Sequence, residues 1–275
     1  MNYVKMQRLK LVFIVLILCF SCKQNIEKKT DSASLVTEIV GETEGKSPLF
    51  KNSIVSTDID FIQSTDQDAF LSLVYKGQDA KEMPGAESDE LFDTHTYIFE
   101  ATFKNNKKVE IWAHSDFGSK EAAKLYADKL TDKLGKLPNF MRETLNHVVI
   151  HKGDSTAFAE DVGRFFVLYS DNMDTRISNN DLEETVFHES IHVALDLLYA
   201  KSKDWKQAQT QDGVFITRYA ESKPRKEDLA ETAIFVYTME KYPSRLSSDI
   251  ELWIKANIPN RYKFLKSIFN QKGIY

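Results

Sequence analysis

The stretch Glu183-Glu184-Thr185-Val186-Phe187-His188-Glu189-Ser190-Ile191-His192-Val193-Ala194-Leu195-Asp196 constrains this chain more than any other. Asn180 with Glu183 three residues on reads as a capping box, and Asp181, Glu183 and Glu184 put negative charge in the first turn, where the helix dipole favours it. The spacing predicts a helix over 180–200. On it His188, His192 and Asp196 recur at i, i+4 and i+8, while Phe187, Ile191, Leu195 and Leu198 form the adjacent apolar stripe. One stripe packs against a core and its neighbour presents two imidazoles to a single point. Such a pair binds Zn²⁺ through two nitrogens at about 2.0–2.1 Å, and Glu189 then stands beside the metal. With six histidines in the chain, a chance His-Glu-x-x-His is expected roughly 0.01 times. The alternative is two surface histidines on a solvated helix face.

A catalytic zinc takes three protein ligands and keeps one position open for water. The third ligand is sought in Arg218-Tyr219-Ala220-Glu221-Ser222-Lys223-Pro224-Arg225-Lys226-Glu227-Asp228-Leu229-Ala230-Glu231. Pro224 after Ser222 marks a helix start, which predicts a helix over 224–241. Glu227 and Glu231 then share a face, where two carboxylates repel by a few tenths of a kcal/mol unless positive charge sits beside them. A zinc held with His188 supplies that charge: one Glu ligates and the other accepts the imidazole N–H. The competing reading is an ordinary charged face on an exposed helix.

His188-Glu189-x-x-His192-x-x-x-Asp196, then Tyr219-Ala220, then Glu227-Asp228-Leu229-Ala230-Glu231 resembles the catalytic core of gluzincin metallopeptidases of the anthrax lethal factor type. The resemblance implies His188, His192 and Glu227 as zinc ligands and Glu189 as general base. It also implies Tyr219 as the oxyanion-stabilising hydroxyl and Glu231 as the carboxylate behind a ligand. Asp196 is read as orienting His192 or as bonding within its own helix. Two features depart from the family: Asp228-Leu229 replaces an aromatic pair, and the gap from Tyr219 to Glu227 is one residue longer.

The N-terminus reads as an address. Lys5, Arg8 and Lys10 precede a ten-residue apolar run, Leu11 to Phe20, too short to span a bilayer. Leu18-Cys19-Phe20-Ser21-Cys22 resembles a bacterial lipoprotein signal, with Cys22 as the lipidated first residue of the mature chain. Cys19 and Cys22 are the only cysteines, so an exported domain would stand on its core without disulfides. Losing Lys5, Arg8 and Lys10 takes the net charge from -5 to -8. That acidic balance, 36 Lys+Arg against 41 Asp+Glu, argues against a nucleic-acid partner.

The expected organisation is a signal peptide over 1–21, a flexible tether over 22–48, an N-terminal extension of unassigned role over 49–93 and a catalytic domain over 94–275. Within the last, 96–103 and 108–112 flank Asn105-Asn106 as a hairpin, 119–134 reads as a helix stopped by Gly135, and 147–150 and 164–169 read as strands. Helices follow at 180–200, 224–241 and 248–271. Strands first and helices after predict an α+β domain, and the resemblance implies a zincin-like fold with a small mixed sheet and a mainly helical C-terminal half. Ser155 to Glu160 is the guess for an edge that would accept a peptide strand, or else a connecting loop. His95, His114, His147 and His151 stand apart from any ligand pattern, and Trp112, Trp205 and Trp253 read as packing.

The function expected is zinc-dependent hydrolysis of peptide bonds by an envelope-anchored enzyme, acting on a peptide or protein. Two alternatives stay open: a non-catalytic zinc-binding lipoprotein that acts as a binding module, and a hydrolase whose substrate is a cell-wall amide.

Overall fold

Burial alternates along residues 108–113 and is continuous along 148–150 and 166–169, where both faces of the sheet are covered. The structure, a computed structural model, describes residues 46–86 and 91–274. The expected signal peptide over 1–21, Cys22 and the expected 22–48 tether as far as residue 45 lie outside them. The described residues belong to one unit that begins at Gly45. It is α+β, with a mixed six-stranded sheet in the order β1-β2-β3-β4-β6-β5.

The strands are β1 (Phe70–Glu82), β2 (Phe92–Phe103), β3 (Lys108–Ala113), β4 (His147–His151), β5 (Phe158–Glu160) and β6 (Phe165–Tyr169). β1, β2 and β3 are antiparallel, β3-β4 and β4-β6 are parallel, and β5 returns antiparallel to form the far edge. The expected hairpin is present, and its connection uses left-handed Asn105 and Asn106, a conformation asparagine tolerates better than most residues. Phe99, Ile111, Val148, Ile150, Phe166 and Leu168 point into the main core, and a smaller cluster of Met83, Val149, Val167 and Tyr169 lies on the other face.

The helices are α1 (Lys120–Lys136), α2 (Asn139–Thr144), α3 (Ser170–Ser178), α4 (Leu182–Ile191), α5 (Lys203–Asp212), α6 (Arg218–Ser222), α7 (Asp228–Lys241), α8 (Ser248–Asn257) and α9 (Pro259–Lys272). Of the 49–93 segment, the described residues pack with the rest: Ile54 and Phe61 are core residues and β1 pairs along β2.

Several boundaries differ from the sequence expectation. Gly135 does not stop α1, which runs on to Lys136. The capping box does not form: Asn180 takes a left-handed conformation (φ 59), Asp181 becomes the N-cap without a side-chain bond, and Glu183 pairs with Lys133 at 2.8 Å. The 224–241 helix begins at Asp228, after a turn that carries Glu227. The 248–271 stretch is two helices, because Pro259 restricts Ile258 to a non-helical conformation and starts α9.

Candidate metal centre

His188 sits in the last turn of α4, and His192 opens a π-helical continuation, His192–Ala200. Such i→i+5 segments are rare and recur at functional sites. Glu227, at the N-cap of α7, faces both rings. His188 Nε2 and His192 Nε2 are 3.1 Å apart, and Glu227 Oε2 lies 3.3 Å from the first and 3.5 Å from the second. Two donors bound tetrahedrally at 2.0–2.1 Å are separated by roughly 3.3 Å, so the spacing matches three ligands around one cation.

The outward nitrogens explain why the inward ones are free to bind. His192 Nδ1 lies 2.6 Å from Asp196 Oδ2, and His188 Nδ1 faces Glu231 Oε1 at 3.6 Å, just beyond hydrogen-bond reach. With each Nδ1–H turned to a carboxylate, each Nε2 lone pair points inward at the other and at the Glu227 carboxylate. Three converging lone pairs repel unless positive charge lies among them.

The titration directions carry the same message. Burial alone would lower the pKa of His192, yet Asp196 and Glu227 outweigh it and hold it well above the ordinary value. Burial alone would raise Glu227, yet His188 and His192 hold it well below the carboxylate range. His188, His192 and Glu227 can therefore hold a metal ion.

These residues line a cleft of about 520 Å³, shared with Glu189, Asp196, Tyr219 and β5 residues Phe158 and Ala159. Glu189 is 7% exposed, and burial raises its pKa, against the pull of His188 and His192. Its carboxylate accepts no hydrogen bond from the described residues. Tyr219 lies on the cleft wall, where burial and then the Glu227 carboxylate push its phenol well above the ordinary value. Lys223 Nζ donates to Tyr219 Oη at 3.1 Å, and the phenolic O–H is turned toward the Glu227 carboxylate.

All the sequence-derived site residues in the described part thus gather in one cleft, apart from Glu231, which is fully buried behind His188. Asp196 Oδ2 lies against His192 Nδ1, a contact within one helical segment. His95, His114, His147 and His151 are not part of the ligand group, and His147 is stacked between Trp112 and Phe165 at 3.6 and 4.6 Å. Trp205 is buried, as expected of packing.

Sequence reasoning missed several supports. Ser53 Oγ donates to Glu231 Oε1 at 2.5 Å, and the Ile54 N–H donates to Oε2 at 3.1 Å. Asp228, next to Glu227, is fully buried in an ion pair with Arg261 at 2.7 Å, and Arg261 also bonds Asp212 at 3.0 Å. No local pattern announces Ser53, but an Asp where a packing residue is expected was a visible sign of such a pair.

No protein-family model, no curated protein and no solved structure matches this chain.

Proposed function

We propose that this protein is a zinc-dependent peptidase of gluzincin type. The observation that carries the reading is the convergence of His188, His192 and Glu227 with a buried, unbonded Glu189 in one open cleft. Two neutral imidazoles and a carboxylate are the donor set of a hydrolytic zinc site. Zn²⁺ held there supplies Lewis acidity and an acidified water near neutral pH.

The chain's own residues supply the rest. Glu189 accepts the proton of the attacking water and passes it to the leaving amine, a task that suits a carboxyl raised by burial. Tyr219 donates its phenolic hydrogen to the developing oxyanion, a contact worth about 3–4 kcal/mol when well placed. Asp196 keeps His192 in the tautomer that binds through Nε2. β5 pairs with β6 on one side only, so its other edge can take an extended peptide beside the cleft. A purely structural site needs no base beside the metal, and Glu189 therefore favours the enzyme over a binding module.

The same proposal takes the chain to be exported and held at a bacterial envelope by acylated Cys22, on the strength of the leader alone. Incorporation of labelled palmitate, lost in Cys22→Ser, tests it.

The central test measures metal content and turnover together in the full chain. About one zinc per chain is expected, with hydrolysis of denatured protein. Glu189→Ala should keep the zinc and lose activity by about 10²–10⁴-fold. Full activity in that variant rejects the mechanism. Hydrolysis of peptidoglycan but not of denatured protein moves the substrate to a cell-wall amide, and bound zinc without hydrolysis of either leaves a binding lipoprotein.

A further inference from the structure

A short strap that precedes the sheet is hydrogen-bonded to α4, α6 and α7, the helices that carry or adjoin His188, Glu189, Tyr219, Glu227 and Glu231. Its first anchor is Phe50, which bridges to Thr217: the Phe50 N–H donates to Ile216 O at 3.0 Å and the Arg218 N–H to Phe50 O at 2.9 Å. The next residue is Tyr219. Its middle is Ser53-Ile54, whose two donors occupy both oxygens of Glu231 on α7. Arg176 Nη1 then bonds Val55 O at 3.0 Å. Its last anchor is Phe61-Ile62, whose N–H groups donate to Glu184 Oε1 at 3.1 and 3.3 Å on α4, one turn before His188.

Glu231 has no exposure to solvent, and its Oε1 is the atom that faces His188 Nδ1. A carboxylate behind a ligand imidazole offsets the charge that imidazole gains on binding a cation, provided its oxygen stays in line with the ring nitrogen. Ser53 holds that oxygen. Removing the hydroxyl leaves a buried carboxylate with an unfilled acceptor, free to turn from the ring toward another donor.

We propose that Ser53 is a positioning residue of the metal centre: through Glu231 it aligns His188, so that metal affinity depends on the seating of the 50–62 strap. This rests on the metal reading given above.

The test uses the full chain and Zn²⁺ alone, in competition with a chromophoric chelator. Ser53→Ala should weaken zinc binding by about 10–100-fold, the usual effect of losing an outer partner, and Ser53→Thr should restore it to within about threefold. The melting temperature of the metal-stripped Ser53→Ala protein should fall by roughly a few degrees, the cost of one unfilled buried acceptor, and Ser53→Thr should restore it. In a double-mutant cycle, Ser53→Ala added to Glu231→Gln should cost little more than Glu231→Gln alone, because both act through one carboxylate. Wild-type affinity in Ser53→Ala, where His188→Ala abolishes binding, overturns this inference and spares the metal site. Additive losses in the cycle, or a lowered apo melting temperature that Ser53→Thr does not correct, reduce Ser53 to packing and overturn it also. A parent chain that binds no zinc overturns both readings together.

Discussion

At His192 one contact, Nδ1 2.6 Å from Asp196 Oδ2, favours the tautomer that leaves Nε2 to bind a cation. Asp196→Ala removes the partner without touching a ligand, so zinc affinity should fall by about 10–100-fold while the other ligands stay in place. Calorimetric titration with zinc checks this, and unchanged affinity rejects the orienting role. Tyr219 stands one step further from the metal. Tyr219→Phe should lower kcat and leave the zinc content as it is; an unchanged kcat removes it from the mechanism. At this scale the sequence was informative wherever chemistry is local. His188, Glu189, His192 and Asp196 follow from helical spacing alone. Ser53 does not, because its hydrogen bond to Glu231 spans 178 positions and leaves no trace in either neighbourhood.

Among elements, periodicity located the segments and local chemistry misplaced their ends. The α4 segment was legible from its apolar stripe, but the capping pattern at Asn180 lost to a left-handed turn and to the pull of Lys133 on Glu183. The passage from α4 into the π-helical turn at His192 has no sequence signature, since it changes the hydrogen-bond partner and not the residue types. β1 stayed unassigned because apolar residues fall on both of its faces: Leu73 and Tyr75 pack on the core while Leu71 and Val74 are exposed, so its sequence alternates little. Gly135 is the clearest case: it reads as a helix stop and is instead a packing glycine inside α1. A Cβ there would lie 1.7 Å from Asp68 Oδ1 and 3.0 Å from the Phe70 nitrogen. Asp68 Oδ1 is itself fixed by the Phe70 N–H at 2.7 Å, so it cannot simply swing away. Helix propensity favours Ala over Gly by about 1 kcal/mol, whereas overpacking costs about 1–3 kcal/mol. The clash wins, and Gly135→Ala should destabilise by about 1–2 kcal/mol in urea unfolding; a stabilised variant shows that the 68–70 loop yields.

For the whole molecule, α4 is buried among α7, the neighbouring helices, the β5–β6 edge of the sheet and the strap, and Glu184 bears the cost of that burial. It lies on α4 with 2% exposure, accepts two strap N–H groups on one oxygen, and has its pKa pushed by desolvation from 4.5 to about 7. A carboxyl raised in the folded state keeps its proton where the unfolded chain has lost it. The native form therefore binds more protons between about pH 4.5 and 7, and stability falls as pH rises through that window. Above about pH 7 both states are ionised and the penalty levels off at about 3 kcal/mol. Glu184→Gln keeps an oxygen for the strap and cannot ionise, so it escapes the penalty. Any constant packing cost of the amide cancels when the same pair of proteins is compared at two pH values. In metal-stripped protein, the stability of Glu184→Gln relative to wild type should be greater at pH 8 than at pH 5 by about 2–3 kcal/mol, measured by urea unfolding. An equal difference at both pH values means that Glu184 ionises freely in the folded protein and that water reaches the seam between strap and metal helix.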